Sequence, residues 1–180
     1  MLLINLIHSI FFVVYLGLAF YVLIRNKKEN LNRSLFLLMV VSSVQSLSIT
    51  IITYPSVDAT TANVFMDVFS ISITAFGVFA FLSMVYITKI FKPGVLTYTL
   101  FGLYVTGFIV FQVATDFASV SQRGSNGLWM MEFNNAFVLT FLDIMHNALL
   151  IAGFIFLAVF LRRNSDQLKR KQIRILLITA

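Results

Sequence analysis

The chain has 180 residues, 59% of them hydrophobic and only 11% charged, against about a quarter charged in an ordinary soluble domain. A water-solvated core of this length cannot hide so much apolar surface, so the solvent must be lipid. The absence of Cys removes disulfides and thiol chemistry, and no phosphate-binding Gly loop, GxSxG elbow or HExxH helix occurs.

Five stretches are long and apolar enough to span a bilayer, and in lipid each must be helical to satisfy its own backbone. They run from about Leu2 to Ile24, Leu35 to Tyr54, Asn63 to Ile90, Val95 to Phe117 and Ala136 to Leu161. The first has no basic leader and no small-residue cleavage site, so it reads as an anchor rather than a signal peptide. A sixth begins near Ile173, but Ile175 to Ala180 covers only about 9 Å of helix against a hydrocarbon core of about 30 Å. The predicted fold is an all-α polytopic membrane bundle, one domain over residues 1–180, with five complete spans and the start of a sixth.

Lys and Arg set the orientation. Arg25, Lys27, Lys28 and Arg33 follow helix one, Lys89 and Lys92 follow helix three, and Arg162, Arg163, Lys169, Arg170, Lys171 and Arg174 follow helix five. Only Arg123 lies on the other side. The N-terminus is therefore expected outside, the residues after helix five in the cytoplasm, and the net charge of +6 marks a membrane face rather than a nucleic-acid site. Lys92-Pro93-Gly94 predicts a tight inner turn. The longest outer link, Ala118 to Asn135, carries Gly124, Gly127 and the apolar run Leu128 to Met131. Trp129 there reads either as an interfacial anchor or as part of a lid over an outward-facing cavity.

Polar residues in the spans gather toward the outside. Helix one has Asn5, His8 and Ser9; helix two has Ser42, Ser43, Gln45, Ser46, Ser48, Thr50 and Thr53. In helix three Asp67, Ser70 and Thr74 share one face, and in helix five Thr140, Asp143 and Asn147 do the same, with His146 one turn from Asp143. Helix four ends in Gln112, Thr115 and Asp116. Ser and Thr at these depths also serve simply to let helices approach. The pattern predicts a cavity open to the outside and closed below by an apolar plug, between helices two, three and five. The candidate ligand-binding residues are Asp143, His146, Asn147, Asp67 and Gln45. The acidic outer side (Asp58, Asp67, Asp116, Glu132 and Asp143 against Arg123) favours a cationic or neutral ligand. His8 and His146 have no metal-ligand spacing, and no metal or other cofactor is expected.

Two stretches carry a family resemblance. "YVLIRNKKENLNRSLFLLMV", Tyr21 to Val40, resembles the passage from helix one to helix two in the seven-helix N-terminal sensor region of bacterial histidine kinases, with Asn32, Arg33, Ser34 and Leu35 at the family's Asn-Arg-Ser/Phe-like step. "LKRKQIRILLITA", Leu168 to Ala180, resembles its basic linker into helix six through Arg170, Gln172 and Arg174, and "NGLWM" is similar to its loop between helices four and five. The sequence departs from the family at Gln45, Ser46 and Leu47, near which the family places a Trp. The resemblance implies a bacterial, multi-pass cell-membrane sensor whose remaining helices and cytoplasmic signalling domains lie in cis beyond Ala180.

The functional expectation is a sensory input module that binds an unidentified small molecule and passes the signal to an output domain. The chain itself is not expected to be an enzyme, since Asp143 and His146 alone supply neither a nucleophile nor a metal cage. The lipid bilayer is an expected partner, a homodimer is an option the sequence leaves open, and no nucleic acid is expected. The alternative is a small complete membrane protein acting as a transport component or assembly partner.

Overall fold

The computed structural model describes residues 2–121 and 129–163. Five helices, α1 (Leu2–Arg25), α2 (Asn30–Ile52), α3 (Ala59–Thr88), α4 (Val95–Thr115) and α5 (Ala136–Arg163), are each long and apolar enough to cross a membrane. Between α4 and α5 the chain forms a two-stranded antiparallel hairpin, β1 (Ala118–Ser121) with β2 (Met130–Phe133), Ala118 opposite Phe133 and Ser121 opposite Met130. The fold is mostly helical as expected, and the hairpin is an addition to the all-α expectation. The predicted start of helix six, its basic approach from Lys169, and Arg123 with Gly124 and Gly127 lie outside the described residues.

Two helices begin earlier than hydropathy suggests. α2 starts at Asn30 rather than Leu35, because its first turn is polar yet helical. The loop before it is built by side chains: Lys28 N donates to Asn26 Oδ1 (3.3 Å), Asn32 Nδ2 to Asn26 O (3.1 Å) and Arg33 Nε to Lys27 O (2.8 Å). The Asn32-Arg33 step thus ties the helix start back onto its own turn. α3 starts at Ala59, not Asn63, because Asp58 caps it: Thr61 N donates to Asp58 Oδ1 at 3.0 Å. That bond and a second from Thr61 Oγ1 (2.8 Å) hold the Asp58 carboxyl below the usual carboxylate range.

α3 is the centre of the bundle. α1 packs on α2 and α2 on α3, while α3 also carries α4, α5 and β1. Its other end closes with Lys89 in the left-handed region (φ 52°), whose N–H reaches Val85 O at 2.8 Å, and the chain turns into α4 through Lys92-Pro93-Gly94. We call this the basic end and the opposite one the hairpin end.

Small polar residues fill the seams. Ser34 Oγ pairs with Ser83 Oγ at 2.9 Å between α2 and α3, Ser43 donates to Phe12 O (3.4 Å), and Asn5 and Thr53 bond each other between α1 and α2. Several hydroxyls donate to the carbonyl four residues earlier in their own helix, among them Ser42, Ser48 and Thr50. A hydroxyl satisfied this way costs little in lipid and need not face a cavity. Two glycines set the α3–α5 spacing. A Cβ on Gly77 would stand 2.8 Å from His146 Nδ1, and one on Gly153 would collide with Met84 Sδ.

Candidate functional site

The hairpin end is held together by one glutamine. Gln112, at the last turn of α4, is fully buried. Its Nε2 donates to Asp67 Oδ1 on α3 (2.6 Å) and to Ala118 O on β1 (3.0 Å), while its Oε1 accepts from Ala118 N (3.2 Å). Three elements therefore meet on one amide. Further along β1, Val120 N donates to Asn63 Oδ1 of α3 at 2.8 Å. Asn134 Nδ2 donates to Asp116 O (2.7 Å), where Asp116 takes the left-handed conformation (φ 45°) that ends α4. Trp129 Nε1 donates to Val57 O at 3.4 Å, so the indole ties the hairpin to the α2–α3 connection. Beneath the hairpin Phe117, Phe108, Met66 and Ile52 form a buried apolar cluster.

Under this roof lies a cavity of about 240 Å³ between α3, α4 and α5. Its polar side chains are Ser70 and Thr74 from α3, Tyr104 from α4, and Asp143 and His146 from α5; the rest of the wall is mainly apolar, with Phe117 and Phe133 above. A second recess of about 220 Å³, between α4 and α5, shares Tyr104, Phe108 and Leu142 with it. The two adjoin along the facing sides of α4 and α5.

His146 is the most constrained group there. Its ring stacks on Phe76 (centroids 6.0 Å apart, 23° between planes) and lies against the backbone of α3 at Gly77. Its Nδ1 is buried without a hydrogen-bond partner among the described residues. An orphaned N–H in that position costs about 1–3 kcal/mol, so the tautomer carrying its proton on Nε2 is favoured and leaves Nδ1 as a bare lone pair. Asp143, one turn earlier, is exposed at the cavity rim. The pair can offer a ring N–H inside and a carboxyl at the entrance. It has no nucleophile beside it, and among the described residues no three His, Asp or Glu side chains gather at metal-binding range.

The structure thus brings together two of the five predicted residues, Asp143 and His146. Asp67 faces the hairpin end but is engaged by Gln112, which makes it part of the clasp. Gln45 is half-buried on α2 and does not line the cavity, and Asn147 is exposed on α5 away from it. The expected position between helices two, three and five is corrected to α3, α4 and α5. The recess that α2, α3 and α5 do enclose, about 350 Å³, is lined by residues such as Leu38, Phe76, Met84 and Leu157. Ser70 and Thr74 are found where their shared face with Asp67 pointed; Tyr104, in an otherwise apolar helix, gave no signal beyond its hydroxyl. Compared with family models, curated proteins and solved structures, the chain matches none of them.

Proposed function

We propose that the chain is the membrane-embedded sensory input module of a larger receptor, of the bacterial sensor histidine kinase type that Tyr21 to Val40 and Leu168 to Ala180 resemble. In this reading the N-terminus and hairpin face outward, and the basic end faces the cytoplasm, where signalling domains in cis take the output. The ligand is a small, largely apolar molecule with one hydrogen-bonding or cationic group. It enters under the hairpin or between α4 and α5. The observation that supports this best is the cavity itself: apolar walls, a few convergent polar groups, and His146 fixed against Gly77.

A ligand pressing on His146 acts where α5 meets α3. It biases the bundle only as far as it binds one α3–α5 arrangement more tightly than the other. α5 then carries the difference to Arg162 and Arg163 at the basic end. The test is Asp143→Asn in the full-length protein. We expect a shifted dose response with unchanged melting; an identical dose response in a folded variant removes Asp143 from the site.

One feature favours the second reading, an assembly partner. Thr140, Asp143 and Asn147 form an exposed polar stripe on α5, and polar side chains inside a span ordinarily face protein or water. With no native Cys, Asn147→Cys offers a clean assay. A disulfide-linked pair of copies in membranes supports self-assembly through α5, and its absence at high expression speaks against it.

A further inference from the structure

At the basic end α2 and α4 both rest on α3 and leave a recess over it. Two adjoining cavities, of about 410 and 290 Å³, share Asn30 and Tyr86. The one nearer the basic end is bounded by Lys89 and Lys92 and by the first turn of α2. The deeper one is bounded by Leu37, Phe79 and Leu82. The hydroxyls of Tyr86 on α3 and Tyr98 on α4 bond each other where the two meet, and Arg33 borders the deeper cavity. The recess is therefore cationic at its mouth and apolar within.

Three observations bear on what fills it. Lys89 and Lys92 are exposed, and neither forms an ion pair among the described residues. The one carboxylate at the mouth, Glu29, accepts from Asn26 Nδ2 (3.5 Å) and makes no cap bond to α2. From Lys89 back to Phe79 is ten residues of α3, about 15 Å, which is about half the thickness of the hydrocarbon core. A water-soluble anion would use only the mouth and leave the apolar depth bare. A compact ammonium suits a phosphate as a point charge, and tyrosines suit the boundary between headgroup and acyl chain.

We propose that this recess binds an anionic phospholipid from the leaflet at the basic end, its phosphate between Lys89 and Lys92 and one acyl chain along Leu37, Phe79 and Leu82. The site is separate from the cavity under the hairpin, and its occupancy does not depend on that cavity binding anything. A phosphorylated small molecule shares the headgroup chemistry but not the tail.

The test uses the full chain in nanodiscs of mixed phosphatidylcholine and phosphatidylglycerol, extracted into mild detergent, with retained lipid counted by native mass spectrometry. The wild type retains phosphatidylglycerol. Lys89→Gln with Lys92→Gln lowers retention about tenfold, and Lys89→Arg with Lys92→Arg restores it. Leu37→Trp, which obstructs the apolar depth without changing charge, also lowers it. Arg25→Gln with Lys28→Gln, at the same end but off the recess, leaves it unchanged. The proposal is overturned by equal loss in both charge pairs, which would mean a diffuse basic surface, or by retention indifferent to Leu37→Trp. It is also overturned if inorganic phosphate or glycerol phosphate displaces the lipid at millimolar concentration. Far-UV circular dichroism on each variant separates lost binding from lost fold.

Discussion

At the residue scale, Gln112 and His146 behave oppositely. Gln112 has its amide fully used, so replacing it strands its partners. Gln112→Leu leaves Asp67 and the Ala118 backbone without their bonds, and we expect a loss of about 3 kcal/mol, since each unsatisfied buried group costs about 1–3 kcal/mol. A double-mutant cycle with Asp67→Leu checks this. If the two losses simply add, the clasp is not a coupled unit. His146 instead has an idle nitrogen pressed on a glycine. Gly77→Ala must push the ring aside, so we expect a destabilisation of about 1–3 kcal/mol from overpacking together with loss of the ligand response. A normal response in that variant would mean that the ring's position does not matter. His146 stood out in the sequence, but Gln112 and Gly77 did not. One Gln near a helix end looks like any interfacial amide until the strand it binds is known, and Gly77 looks like a packing glycine until His146 is placed against it.

At the element scale, what hydropathy reports is the width of the lipid and not the ends of the helices. That is why all five long apolar helices were legible while α2 and α3 start in polar residues ahead of the apolar stretches. Asp58 makes the point testable. Its carboxyl is held low in the folded state by Thr61, so its capping contribution is complete above the unfolded value near 3.8 and is lost as pH falls through the lower folded value. Protection of the Thr61 amide, measured against its intrinsic exchange rate at each pH, should therefore fall on acidification below about pH 4, while Asp58→Asn, which caps without titrating, should not show the change. The hairpin was not legible. "ASVS" and "MMEF" are short and have no clear alternation, and their register is set by Asn63, Gln112 and Asn134, all outside the strands. The cavity's face on α3 and α5 could be read from helical spacing. Its third wall depends on α4 rather than α2 lying beside that face, a long-range fact that periodicity does not carry.

For the whole molecule, the reading with the N-terminus outside puts the hairpin and the basic end in different compartments. Because the chain lacks Cys, Glu132→Cys and Lys28→Cys can be labelled singly in intact cells with an impermeant maleimide. We expect Glu132→Cys to react at once and Lys28→Cys only after permeabilisation; the reverse order would invert the topology and move the proposed ligand cavity to the cytoplasmic side. The lone Trp129, bound to Val57 O and seated over the apolar cluster, gives a second readout, since ligand entry below the hairpin should shift its emission.

The placement of α3 has a broader consequence. Ser70 and Thr74 midway along, and Phe79 and Leu82 further toward the basic end, belong to one continuous helix that Lys89 caps. A bundle with a single axle has no redundancy there. A saturation library should tolerate substitutions along one broad side of α1, α4 and α5, yet along α3 find scarcely a turn where any face is free to drift.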